Sequence, residues 1–116
     1  MTFHSCTRVL IVEDDAITAA MMEAIVEDLG YEVVGPSSDF KAALDAARGD
    51  ELDFALLDFN LGQGQDAGPI ASILADRGIP FAFTTGAAPA LIREAFDRTP
   101  IISKPVVEEE LIDLLP

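Results

Sequence analysis

Short runs of apolar residues, rich in β-branched and aromatic side chains, recur along the chain at Val9–Val12, Val33–Gly35, Phe54–Leu57, Phe81–Thr85 and Ile101–Ser103. Runs this short, bounded by polar and glycine-bearing turns, predict five buried strands. Between and after them apolar residues return at helical spacing. The first such group is Ile17, Met21, Ala24, Ile25 and Leu29; the second is Phe40, Ala43, Leu44 and Ala47; the third is Ile70, Ile73 and Leu74. Two more comprise Leu91, Ile92, Ala95 and Phe96, then Val107, Leu111, Leu114 and Leu115. Each predicts a helix with one apolar face. Gly30, Gly49 and Gly78 follow the first three groups, where a left-handed C-terminal residue costs least, and Pro69 suits the opening of the third helix.

Strict alternation of strand and helix, with strands apolar on both faces, predicts a parallel sheet covered on each side by right-handed crossovers. The fold class is α/β, doubly wound, with five strands and five helices. In such sheets the binding crevice lies beyond the carboxyl ends of the strands, where strand order reverses. The loop after the third strand carries Gly62, Gly64 and Gly68 and borders that crevice.

Composition narrows the function classes. A length of 116 residues suits one domain spanning 1–116, with a core at 8–115 and an N-terminal tail at 1–7. The formal charge is −14, from 21 acidic against 7 basic residues, a field that repels nucleic-acid backbones and anionic lipid surfaces. Direct nucleic-acid binding and membrane insertion are therefore not expected. The single cysteine, Cys6, cannot close an internal disulfide, and no stretch resembles a signal peptide or a span of about 20 apolar residues, so a cytoplasmic location is expected. His4, the single histidine, sits in the tail and is assigned no role.

The strands deliver polar residues at their carboxyl ends: Glu13, Asp14 and Asp15 after the first, Asp58 after the third, Thr85 after the fourth and Lys104 after the fifth. Like charges at ~4 Å repel by about 4 kcal/mol at an effective dielectric of 20, so this convergence requires a compensating cation. Lys104 supplies one positive charge. Carboxylate, carbonyl and water oxygens are the ligands that Mg²⁺ prefers, and Mg²⁺ is the expected cofactor.

The acidic run Val12-Glu13-Asp14-Asp15, the segment Leu56-Leu57-Asp58-Phe59-Asn60, the hydroxyl in Phe83-Thr84-Thr85-Gly86 and the lysine in Ser103-Lys104-Pro105 together resemble the receiver domains of two-component response regulators. The resemblance runs from Arg8 to Leu115. It implies a flavodoxin-like strand order 2-1-3-4-5, which receivers share with flavodoxin. It also implies Asp58 as phosphoacceptor, and a metal site built from Glu13, acting through water, Asp14, Asp58 and the backbone carbonyl of Asn60. Thr85 and Lys104 are implied as the remaining active residues, with a cis peptide between Lys104 and Pro105. The implied phosphoryl donor is a sensor histidine kinase or histidine phosphotransferase, and the output an unidentified protein target.

The chemistry of each residue agrees. An ionised Asp58 can attack phosphorus and form an acyl phosphate. A divalent cation and Lys104 can offset charge on the phosphoryl oxygens. A hydrogen bond from Thr85 made only to a phosphorylated site can shift a two-state equilibrium.

Two positions depart from the receiver pattern. Ile101 stands where many receivers carry an aromatic switch residue three places before the lysine, and Ala87 stands where a polar side chain is frequent. The conformational signal is therefore expected to travel through Thr85–Ala90 and the fourth helix, with Ile101 repacking passively. Among rival readings, a haloacid-dehalogenase-type phosphatase needs a second carboxylate two residues after its nucleophile, where this chain has Asn60. A flavodoxin-type flavin site needs a phosphate-cradling loop where Glu13-Asp14-Asp15 would repel it. A pseudo-receiver that binds partners without phosphorylation is the alternative interaction module. No linker or effector domain is visible before Pro116, so output is expected through noncovalent contact.

Overall fold

The computed structural model describes residues 7–62, 64–86, 92, 96 and 98–116. Five strands are formed: β1 Arg8–Val12, β2 Glu32–Ser37, β3 Phe54–Asp58, β4 Phe81–Thr85 and β5 Ile101–Ser103. Among the described residues there are four helices: α1 Ala16–Asp28, α2 Phe40–Gly49, α3 Gly68–Asp76 and α4 Glu108–Leu114. All neighbouring strands pair in parallel, in the order β2-β1-β3-β4-β5. The expected doubly wound α/β sheet is therefore present, with its order reversal between β1 and β3.

The expected fourth helix falls mostly outside the described residues. Within that stretch, Ile92 is buried and the Phe96 amide donates to the Ile92 carbonyl at 2.9 Å, one helical i→i+4 bond.

The alternation of side chains along the central strands divides the interior in two. Leu10, Val12, Ala55, Leu57 and Phe83 face α2 and α3, where they meet Ala43, Ala47, Ile70 and Leu74. Val9, Ile11, Leu56, Ala82 and Ile102 face α1 and α4, where they meet Met22, Val26 and Leu111. β3 is buried along its whole length, as a central parallel strand must be, whereas β2 is a half-exposed edge.

Only part of the expected face of α1 turns inward: Ile25 and Leu29 pack half-buried against the core. Ala19, Met22 and Val26 are buried, while Ile17 and Met21 are 74% and 53% exposed. Because α1 is apolar on several sides, its sequence supports more than one helical stripe, and packing against the sheet centred the buried one on Met22 and Val26, with Ile25 and Leu29 at its edge. Of the three glycines expected to end helices, Gly30 and Gly78 have φ of +95° and +73°. Gly49 instead forms the last residue of α2, and Asp50 follows in an extended conformation.

Strand β2 runs longer than its apolar core because of a bulge. Leu10 pairs with Val34 but Val12 pairs with Ser37, so one extra residue is accommodated at Gly35-Pro36. Gly35 has φ +94°, and a Cβ there would lie 2.7 Å from the Ser37 amide and 3.0 Å from the Ile11 carbonyl. Only glycine fits. The bulge presents the Ser37 carbonyl to the Glu13 amide at 3.0 Å, which fixes the backbone where β1 turns into α1.

Candidate functional site

That turn begins the site. Asp15 caps α1, accepting from the Thr18 amide at 2.8 Å and the Thr18 hydroxyl at 2.7 Å. The Thr18 amide, then its hydroxyl, holds the exposed Asp15 carboxyl below its ordinary pKa. Asp15 is thus committed to the helix end. Its own amide donates to Glu13 Oε2 at 3.1 Å, which orients the buried Glu13 side chain inward, while Asp14 stays exposed beside it. Gly62, from the loop after β3, passes close to Asp14: a Cβ on it would sit 3.5 Å from Asp14 Oδ2.

Asp58 is the last residue of β3 and is only 4% exposed. Its Oδ1 accepts from the Asn60 amide at 3.3 Å. The loop that follows is pinned by an Asn60–Asp66 bridge and by Ala67 N–H to the Phe59 carbonyl at 2.9 Å. Lys104 enters from β5, its amide bonded to the Thr85 carbonyl at 2.8 Å. Its ammonium lies 3.2 Å from Asp58 Oδ2 and 2.9 Å from Glu13 Oε1. The second contact is an ion pair rather than an aligned hydrogen bond, since Glu13 Oε1 is buried with no hydrogen-bond partner among the described residues. The peptide between Lys104 and Pro105 is cis.

These placements shift the titrations. Burial, followed by the charge of Glu13, pushes the Asp58 carboxyl up to about 7, against the opposing pull of Lys104. Burial works against the Lys104 ammonium, but Glu13 and Asp58 outweigh it and raise its pKa above the ordinary value. One oxygen each from Glu13, Asp14 and Asp58 can be chosen so that all three lie within 4.8 Å of one another. Three carboxylates around one ammonium leave two negative charges uncompensated. An all-oxygen set with that excess, including a buried Glu13 oxygen met by the Lys104 ammonium without an aligned hydrogen bond, fits a hard divalent cation.

A sequence profile of the response regulator receiver domain matches residues 9–115. The chain belongs to the receiver domain family. Among solved structures, this receiver is similar to SdrG from Sphingomonas melonis Fr1, with 33% identity, a TM-score of 0.83, and 96% of this chain and 94% of that one covered. The signal receiver domain of a modulated diguanylate cyclase from Desulfovibrio desulfuricans G20 shares 29% identity at a TM-score of 0.81, covering 94% of this chain and 90% of that one. A response regulator receiver protein from Sinorhizobium medicae WSM419 shares the fold at 23% identity and a TM-score of 0.83, with coverages of 95% and 91%. No curated protein sequence matches the chain. It is a phosphoacceptor receiver domain, a signalling module with an acidic pocket of the kind in which receivers bind Mg²⁺.

Of the site residues read from this receiver's sequence, Glu13, Asp14, Asp58 and Lys104 converge. Asn60 is exposed and meets Asp58 through its amide. Thr85 is buried at the end of β4, and Ile101 is half-buried against the core that contains Phe83. Ala87 lies outside the described residues, as do His4 and Cys6. Two features escaped the sequence reading. Phe59, directly after Asp58, packs edge-on against Phe83 with ring centres 5.2 Å apart, and Phe83 meets Phe96 at 4.9 Å. Thr84 is fully buried opposite Asp58 in the β3–β4 register. The period-two alternation of β4 was the signal that could have separated Thr84 from Thr85.

Proposed function

We propose that Asp58 accepts the phosphoryl group, with Mg²⁺ held by Asp14, Asp58, the Asn60 carbonyl and, through water, Glu13, and that a histidine kinase or histidine phosphotransferase is the donor. The observation that carries this reading is Asp58 itself: a buried carboxylate at a strand end, flanked by Glu13 and held by a single ammonium. Its oxygen attacks the phosphorus of the donor phosphohistidine, the P–N bond breaks, and the imidazole leaves with the electron pair. Mg²⁺, when bound, supplies positive charge to the phosphoryl oxygens. Lys104 moves its ammonium from Asp58 Oδ2 to a phosphoryl oxygen, and Thr85 donates its hydroxyl to another. The chain then acts by changing conformation and contacting a protein target, catalysing only its own phosphorylation and dephosphorylation.

A protein donor also suits the surface beside Lys104. A groove of about 300 Å³ is lined by Thr18, Met21, Met22, Lys104, Pro105 and Val106, with Met21 exposed in its wall. No helix among the described residues is long and apolar enough to cross a membrane.

Incubation with acetyl phosphate and Mg²⁺, followed by intact-mass and peptide mass spectrometry, tests the assignment. One added phosphoryl group on Asp58 is expected, and none in Asp58→Asn. Asp14→Ala should keep the fold and lose Mg²⁺ affinity. A phosphoryl group on any other residue would sink the assignment, and no uptake at all would favour the pseudo-receiver.

A further inference from the structure

The face of the sheet that carries Asp58 holds one polar group that the proposed chemistry leaves unused. Thr84 pairs with Asp58 across β3 and β4, and alternation along β4 puts its side chain on the same face as Ala82, over the core formed with α1 and α4. Glu13 follows Val12, which pairs with Leu57, so continuing that register sets Glu13, Asp58 and Thr84 in one row. On the far side of Thr84 the row continues to Ile102, and Lys104 stands two residues beyond it. Thr84 is 0% exposed, and its Oγ1 has no hydrogen-bond partner among the described residues. A buried hydroxyl without a partner is destabilising, and valine would fill the same shape without that cost. Such a group calls for an explanation in some other state of the protein.

At rest both Asp58 oxygens are already served, Oδ1 by the Asn60 amide and Oδ2 by Lys104. Thr84 is then redundant. Once a phosphoryl group is attached, Lys104 is drawn to its oxygens and the Asp58 oxygen bonded to phosphorus loses its donor. We propose that Thr84 serves as a second hydroxyl of the site, donating to the Asp58 oxygen as the phosphoryl group leaves and so speeding dephosphorylation. In that step water bonds to phosphorus and the P–O bond to Asp58 breaks. The electron pair returns to the Asp58 oxygen, and the proton released by water ends on inorganic phosphate or in solvent. Negative charge thus grows on the side chain that Thr84 pairs with across β3 and β4, and a donor engaged only then lowers the barrier rather than stabilising the starting state. This role for Thr84 rests on Asp58 being the phosphoacceptor.

The test compares wild type, Thr84→Val, Thr84→Ala and Thr84→Ser after labelling with acetyl phosphate and Mg²⁺, following loss of the phosphoryl group by mass spectrometry. Thr84→Val and Thr84→Ala should hold it about tenfold longer, the effect of one hydrogen bond to a charging oxygen, and Thr84→Ser should stay near wild type. Without metal, Thr84→Val should melt higher than wild type. Equal lifetimes in wild type and Thr84→Val overturn the proposal while leaving Asp58 as acceptor. A Thr84→Ser lifetime matching Thr84→Val, or a lowered melting temperature in metal-free Thr84→Val, overturns it as well, since the hydroxyl would then act through packing or have a partner at rest. Wild type unlabelled at Asp58 overturns the acceptor assignment on which it rests.

Discussion

Asp58 carries opposing demands in one side chain. Attack on phosphorus needs the ionised form, yet burial and Glu13 raise its pKa to about 7 without metal. Its folded pKa lies above the ordinary 3.8, so the folded state holds this proton more tightly than the unfolded chain. The stability this contributes is fully present below the unfolded pKa and is lost as pH rises toward the folded one. Metal-free protein should therefore melt lower at about pH 8 than at about pH 5, and Asp58→Asn should flatten that dependence. A cation competes with the proton, so Mg²⁺ should stabilise more at the higher pH; thermal denaturation across that range, with and without Mg²⁺, reads both effects. Lys104 is the other side of the same balance. Lys104→Ala leaves Glu13 and Asp58 buried without their ammonium, a loss of about 1–3 kcal/mol in metal-free urea denaturation. In that variant beryllofluoride, which mimics the acyl phosphate, should no longer produce the wild-type conformational response, and a normal NMR response would remove Lys104 from the switch.

At the scale of elements, the bulge in β2 and the aromatic cluster on β4 each carry an expectation. The bulge holds the turn bearing Glu13 through the Ser37 carbonyl. Gly35→Ala would drive a Cβ into backbone atoms at a positive φ, so a destabilisation of roughly 1–3 kcal/mol and weaker Mg²⁺ binding are expected from urea denaturation and metal titration. The aromatic cluster begins one residue after Asp58. Phe59, Phe83 and Phe96 touch in sequence, whereas the place usual for a switch aromatic holds Ile101, whose β-branched stem resists a large rotation. Beryllofluoride with Mg²⁺ should accordingly move backbone amide NMR signals from Thr85 through Phe96, with Ile101 following. Shifts confined to Asp14, Asp58 and their immediate neighbours would reject the route.

For the whole molecule, a net charge of −14 opposes compaction. Sodium chloride should raise the melting temperature by screening, as it does for any strongly acidic chain. Millimolar Mg²⁺ at constant ionic strength should add a further increment, because binding to the folded state alone stabilises by mass action. Differential scanning calorimetry on wild type and Asp14→Ala separates the two: the salt effect should persist in the variant and the Mg²⁺ increment should vanish.

The division between what sequence and tertiary structure decided follows from the range of the interactions involved. Strand identity was legible because burial on both faces demands continuous apolar runs, and β3 is such a run ending in Asp58. The site was legible because parallel strands deliver their carboxyl ends to one edge, so Glu13, Asp14, Asp58 and Lys104 could be named before their distances were known. The strand order came from family resemblance, since alternation alone does not specify which strands pair. The buried stripe of α1 was decided only by packing: a helix apolar on several sides satisfies its local preferences either way, and contact with Val9 and Ile11 settled on Met22 and Val26 over Ile17 and Met21. The bulge at Gly35, the commitment of Asp15 to Thr18, the lone hydroxyl of Thr84 and the pKa of Asp58 likewise depend on neighbours distant in sequence or on atomic geometry that residue spacing does not encode. Local periodicity records which residues must leave water; it does not record which buried groups they will meet.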